Sequence, residues 1–190
     1  KNYKKAREYY ELSAIENNYE SYNNLGMIYQ YGLDVEINYS KAKYFYEISA
    51  KYNNAKSLTQ LGDFYLFGYG VEKDFLKAKY FYEISAKHGD SGGCVNLGVL
   101  YFNGQGVTKD YKKAKEYFEL SANLENEAGL FYLGLLYHFG FGVKQDYFKA
   151  KHYYELSAAK KYLHAFVNLG NLYAFGLLFI EKKSKIQFCK

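Results

Sequence analysis

The pair Leu-Gly stands at Leu25-Gly26, Leu61-Gly62, Leu97-Gly98, Leu133-Gly134 and Leu169-Gly170, each copy 36 residues after the last. A fixed period of this length restricts the chain to stacked copies of one supersecondary unit, because such a unit cannot bury its apolar face alone. The copies agree well beyond that pair. Three residues after each Gly comes Tyr29, Tyr65, Tyr101, Tyr137 or Tyr173. The turns Gly68-Tyr69-Gly70-Val71, Gly104-Gln105-Gly106-Val107 and Gly140-Phe141-Gly142-Val143 are each followed by an Asp, at Asp74, Asp110 and Asp146. Lys-Ala then ends at Ala6, Ala42, Ala78, Ala114 and Ala150, and Ser-Ala at Ala14, Ala50, Ala86, Ala122 and Ala158.

Each unit reads as two helices. The spacing predicts a first helix from about Ala55 to Phe67, with Leu58, Leu61, Phe64 and Tyr65 on one face at three- and four-residue intervals. Gly68 is placed to stop it in a left-handed conformation, Gly70 to turn the chain, and Asp74 to cap the second helix through its free amides. That second helix carries Ala78, Phe81, Tyr82, Ser85 and Ala86 on one stripe and Lys77, Lys79 and Glu83 on the other. The Gly of Leu-Gly falls inside the first helix, where it costs roughly 1 kcal/mol against Ala. Its return in every copy implies a neighbour too close for a methyl group. Helices of about thirteen residues are marginal alone and must stack.

Composition supports this reading. Of 190 residues, 49% are hydrophobic and 40 are Tyr or Phe, enough apolar surface for a large core, and there is no Pro. Two Cys cannot make a disulfide scaffold, and no apolar window is long enough to span a membrane. The net charge of +5 comes with a single arginine, Arg7, and with Lys alternating with Glu, which argues for a solvated surface and against nucleic acid. The pairs Lys43 with Glu47, Lys79 with Glu83, Lys115 with Glu119 and Lys151 with Glu155 are worth a few tenths of a kcal/mol each at best. Two cysteines that do not repeat fit a reducing cytosol, so a cytoplasmic location is expected, although a secretory one stays open.

The unit Leu-Gly-x-x-Tyr-x-x-Gly-x-Gly-Val-x-x-Asp-x-x-x-Ala-x-x-Tyr-x-x-x-Ser-Ala resembles the Sel1-like repeat, a relative of the tetratricopeptide repeat. The resemblance implies an all-α fold, an α/α superhelical solenoid of 36-residue helix-turn-helix repeats spanning residues 1–178. A lone second helix occupies 1–16, four full repeats follow, and the first helix of a fifth closes the array, leaving 179–190 as a degenerate tail or partial helix. An upstream helix is expected before Asn2-Tyr3-Lys4-Lys5-Ala6. The first turn, Gly32-Leu33-Asp34-Val35, lacks the second Gly and has Asn38 at the Asp position. The last, Gly176-Leu177-Leu178-Phe179, puts Lys182 and Ile186 where Asp and Ala belong.

No arrangement asks for catalysis, a metal or a cofactor. His88, His138, His152 and His164 are scattered, and Cys94 stands where other copies have Tyr22, Leu58, Leu130 and Phe166, as a small buried residue would. The Gly-x-Gly loops lack the Lys-Ser or Lys-Thr of a phosphate cradle. Asn38-Tyr39-Ser40 matches a glycosylation acceptor, though Asn38 also stands where a helix cap belongs.

A better candidate is the first-helix face turned from its own core. Placing Leu25, Ile28 and Tyr29 inward leaves Asn23, Met27 and Gln30 opposite. The same positions hold Thr59, Asp63 and Leu66, then Val95, Val99 and Phe102, then Phe131, Leu135 and His138, and finally Val167, Asn171 and Ala174. An apolar groove at the third and fourth copies and packing between repeats both account for this pattern. As a concave protein-binding face the candidates are Asp63, Leu66, Val95, Val99, Phe102, Phe131, Leu135, His138 and Asn171.

Resemblance to Sel1-like proteins implies a non-enzymatic adaptor or scaffold that holds a protein or peptide partner, with no small-molecule substrate. The alternative is a regulatory segment of a larger enzyme, such as a protein kinase. A hydrolase reading would borrow from cysteine-rich bacterial members, whose repeated cysteine pairs this chain lacks.

Overall fold

The computed structural model describes residues 2–16 and 18–176, so the expected tail at 179–190 lies outside the described residues. Among those residues there are ten helices and no strand: α1 (Tyr3–Ile15), α2 (Tyr19–Tyr31), α3 (Tyr39–Lys51), α4 (Ala55–Phe67), α5 (Phe75–Lys87), α6 (Ser91–Asn103), α7 (Tyr111–Asn123), α8 (Glu127–Phe139), α9 (Tyr147–Ala159) and α10 (Leu163–Ala174). The even-numbered helices are the first helices of their repeats and the odd-numbered ones the second. The chain is an all-α repeat solenoid.

The helix ends follow from the predicted chemistry. Gly68 closes α4 with φ 77° and donates its amide to the Phe64 carbonyl. The Asp74 carboxylate accepts from the Leu76 and Lys77 amides at 3.1 and 3.0 Å. Asn38 does the same work in the first repeat, taking the Lys41 amide at 2.9 Å, so its side chain serves as a helix cap. Asp34, where later turns have their second Gly, adopts φ 64°, a conformation Asp tolerates better than most residues.

The chain forms two compact units, Lys1–Gly93 and Cys94–Lys190. In the first, Tyr46 and Tyr82 are fully buried against Gly26 and Gly62. A Cβ on Gly26 would fall 2.6 Å from Tyr46 Cε1, and one on Gly62 closer still to Tyr82. In the second, Phe118 covers Gly98 and Tyr154 covers Gly134, where a Cβ would fall 2.5 Å from Cδ1. This is the close approach that the recurring Gly implied. Fully burying such a ring contributes roughly 1.5–3 kcal/mol, more than the propensity cost of the Gly beneath it.

A second set of rings explains the Tyr that follows Leu-Gly. Tyr29 stacks on Phe45 and Tyr65 on Phe81 in the first unit, and Tyr101 on Tyr117 and Tyr137 on Tyr153 in the second, each pair with centroids 5.7 Å apart. The Lys of each Lys-Ala pair lies over the same Tyr, with Lys41, Lys77, Lys113 and Lys149 at 5.0 to 5.2 Å from the ring centroid. Such contacts contribute about 0.5–1 kcal/mol at exposed sites. The Ser of Ser-Ala ties the two helices of a repeat together: Ser49, Ser85 and Ser157 donate to the carbonyls of Tyr19, Ala55 and Glu127. The expected Lys–Glu pairs form on the second helices, at 2.6 Å for Lys43–Glu47, 3.2 Å for Lys79–Glu83 and 3.5 Å for Lys151–Glu155, with Lys115–Glu119 also paired.

Candidate functional site

A first helix has two second helices as neighbours. In the first unit α2 packs on α1 and α3, and α4 on α3 and α5; in the second, α8 packs on α7 and α9. On α2, α4 and α8 the arc turned away from both neighbours is half-buried or exposed, whereas α10, which packs on α9, is mostly exposed. On α2 that arc holds Glu20, Asn24, Met27 and Tyr31, and on α4 it holds Lys56, Gln60, Asp63 and Phe67. On α8 it holds Ala128, Tyr132, Leu135 and Phe139. Asn23 and Gln30, which the helical wheel puts beside Met27, are buried instead.

The nine candidate residues divide accordingly. Val95, Phe131 and His138 are buried, Asp63, Leu66, Val99, Phe102 and Leu135 are half-buried, and Asn171 is exposed. Phe131 sits in the core with Ala150, Tyr154, Ala158, Ala165 and Leu172, and its ring meets Tyr162 at 5.2 Å. Leu135 packs against that cluster from outside, as Val99 and Phe102 do against Ala114, Phe118, Leu133 and Leu136. Phe102 also meets Tyr111 and Phe141 edge to face, at 5.2 and 5.5 Å.

Asp63 and His138 share one role. The Tyr82 hydroxyl donates to Asp63 Oδ1 at 2.6 Å, the Tyr46 hydroxyl donates to Gln30 Oε1 at 2.5 Å, and the Tyr154 hydroxyl lies 3.3 Å from His138 Nδ1. A buried hydroxyl left without a partner costs about 1–3 kcal/mol, so each repeat with a Tyr in the glycine slot supplies a polar group for it. The repeat with Phe118 supplies Val99 and Phe102 at the corresponding positions. That matched substitution is visible in the sequence, and it marks Gln30, Asp63 and His138 as partners of buried rings.

Burial sets the protonation of these groups. It pushes the Asp63 carboxyl up to about 6, against the lowering effect of the Tyr82 hydrogen bond and with a small addition from the Asp90 charge. It holds the His138 imidazole below its ordinary value, and the ring stacks on Phe139 at 4.3 Å. The Tyr46 and Tyr154 hydroxyls are raised for the same reason.

Among the described residues no group of three or more His, Cys, Asp or Glu could hold a metal ion, and the Cys94 thiol is buried. Among those residues no helix is long and apolar enough to cross a membrane. What the free arcs do present is a large side chain at the end of the first helix in four repeats. Tyr31 and Phe67 in the first unit and Phe139 and Phe175 in the second are each more than half exposed, at 57, 52, 52 and 69%.

The Sel1 repeat model matches residues 1–18, 20–53, 55–90, 91–126 and 128–162. The chain belongs to the Sel1 repeat family. A Sel1 repeat protein from Oxalobacter formigenes is 30% identical with a TM-score of 0.84, over 90% of this chain and 70% of that one. The c5321 protective antigen of uropathogenic Escherichia coli, which has the SLR fold, is 28% identical with a TM-score of 0.76, over 90% of this chain and 37% of the antigen. Helicobacter pylori cysteine rich protein B is 28% identical with a TM-score of 0.51, over 63% of this chain and 92% of its own. No curated protein sequence matches the chain. Sel1 repeat proteins generally mediate protein–protein interaction and serve as non-catalytic scaffolds.

Proposed function

We propose that this Sel1 repeat chain is a non-enzymatic adaptor that holds a partner protein or peptide on its first-helix face, the concave side in this class of repeat. The observation that carries the reading is the recurrence of an exposed ring at the last turn of α2, α4 and α8 and just after α10. Solvated helix ends have no need of Tyr31, Phe67, Phe139 and Phe175, and exposed aromatics are the side chains that anchor interfaces. Of the candidate set, Leu66 on α4 in the first unit and Val99, Phe102, Leu135 and Asn171 in the second are half-buried or exposed, while Asp63 is held by the Tyr82 hydroxyl. Val95, Phe131 and His138 shape the face from beneath. Cytoplasmic residence fits two cysteines that do not repeat along the chain. The regulatory-segment reading has no support among the relatives described above.

The test is affinity capture with the 190-residue chain, followed by direct binding measurements on any recovered partner with Leu135→Asp and Phe139→Asp. The expected result is loss of the partner with Phe139→Asp at an unchanged melting temperature. Retention of every recovered partner by both variants would refute the assignment of this face.

A further inference from the structure

Each second helix lays a ring on the first helix before it: Tyr46, Tyr82, Phe118 and Tyr154 cover Gly26, Gly62, Gly98 and Gly134. α10 carries the same first-helix motif without that cover. Among the described residues nothing lies within 4 Å of a Cβ built on Gly170, and Tyr173 is 54% exposed. Phe166 is exposed where Leu58, Cys94 and Leu130 are buried. In register, the sequence that follows puts Lys182 at the capping position, Ile186 at the packed Ala and Lys190 at the ring. A lysine side chain accepts no hydrogen bond from a free amide and lays no ring on a glycine.

α1 is the converse case, a second helix with a first helix expected ahead of it. It has the complete set, Ala6, Tyr9, Tyr10 and Ser13, at the positions of Ala42, Phe45, Tyr46 and Ser49. Ala42, Tyr46 and Ser49 are fully buried, whereas Ala6, Tyr10 and Ser13 are half-buried and Tyr9 is 70% exposed.

We propose that α10 is a docking site for α1 of a second copy, so that the two helices complete one repeat between chains. The polar groups select this occupant over an apolar helix. α10 offers the exposed Asn171 at the position where Asp63 takes the Tyr82 hydroxyl, and the repeat whose ring is Phe118 has Val99 there. An acceptor at that position is matched to a Tyr, and Tyr10 brings the hydroxyl. Tyr9 then meets Tyr173 as Phe45 meets Tyr29, and the Ser13 hydroxyl meets the Leu163 carbonyl as that of Ser157 meets Glu127. The interface is heterologous, α1 from one chain and α10 from the other.

Sedimentation equilibrium of the 190-residue chain is expected to show concentration-dependent association. Gly170→Ala should weaken it at least about ten-fold, because the methyl takes the space the incoming ring needs, as it would beneath Tyr154 at Gly134. The melting temperature of the dilute chain should not fall, since that space is open in the single chain. Tyr9→Asp, a change at an exposed side chain, should weaken association to a similar extent. Mixing the two variants in equal amounts is the deciding measurement. The intact α1 of one and the intact α10 of the other should restore the parent affinity, in dimers and nothing larger. Phe139→Asp should leave association unaltered, which separates this contact from the face proposed above. A chain monomeric up to roughly 1 mM, association that Gly170→Ala leaves intact, or a mixture as dispersed as its components would overturn the proposal.

Discussion

Replacing Gly134 with Ala and Gly170 with Ala makes the same chemical change at the same repeat position in the same compact unit, yet the structure assigns the two opposite signs. In both, Ala is the better helix former by about 1 kcal/mol. At Gly170 nothing among the described residues lies within 4 Å of the added methyl, so that gain stands. At Gly134 the methyl falls 2.5 Å from Tyr154 Cδ1 and 2.6 Å from Cε1. The ring cannot swing away, being fully buried with its hydroxyl beside His138. Overpacking of this kind costs about 1–3 kcal/mol, which offsets the propensity gain and leaves a net loss of up to about 2 kcal/mol. The propensity gain is common to both, so the two variants should differ by the overpacking cost, about 1–3 kcal/mol. Urea denaturation followed by circular dichroism reads this difference, provided the slope is unchanged, since both sites report on one unit. Gly134→Ala equal to or more stable than Gly170→Ala would refute the ring-on-glycine account of the repeat.

Asp63→Asn removes a carboxyl that burial raises from the ordinary 3.8 to about 6. The folded state therefore holds that proton more tightly than the unfolded chain. The contribution to stability is full below about pH 4 and is lost as pH rises through about 6, at a cost of about 3 kcal/mol by pH 7. Denaturation at pH 4 and pH 7 should show a smaller pH difference in Asp63→Asn than in the parent, and identical differences would contradict the assignment. Phe118→Tyr places a hydroxyl against Val99 and Phe102 in place of a polar partner and should destabilise by about 1–3 kcal/mol. The companion change Phe102→His should recover part of that loss in the same melts, and no recovery would count against the matching of ring to partner.

Most of the fold was legible because it rests on local chemistry repeated in register. The period located every helix pair, Asp74 and Gly68 gave their ends, and the cost of an interior Gly pointed to the rings that cover it. The functional face was legible only in part. Opposite-the-core reasoning assumes a single packing partner, whereas α4 is flanked by α3 and α5, so Thr59 is buried while Gln60 and Asp63 are half-buried. One signal was present and unused: the coincidence of Phe118 with Val99 and Phe102, against Tyr with Gln30, Asp63 or His138 elsewhere.

That coincidence also decides which pieces of the chain are interchangeable. Gln30 and Tyr46, Asp63 and Tyr82, and His138 and Tyr154 each lie within one first helix and the second helix that follows it. A segment moved with both helices carries its hydroxyl and acceptor together. A crossover in the Gly-x-Gly turn separates them and strands a polar atom in the core. The unit of recombination in this protein is therefore a first helix with its following second helix, with its seam at the short links such as His88–Asp90, even though the most regular sequence motif sits in the middle of that unit.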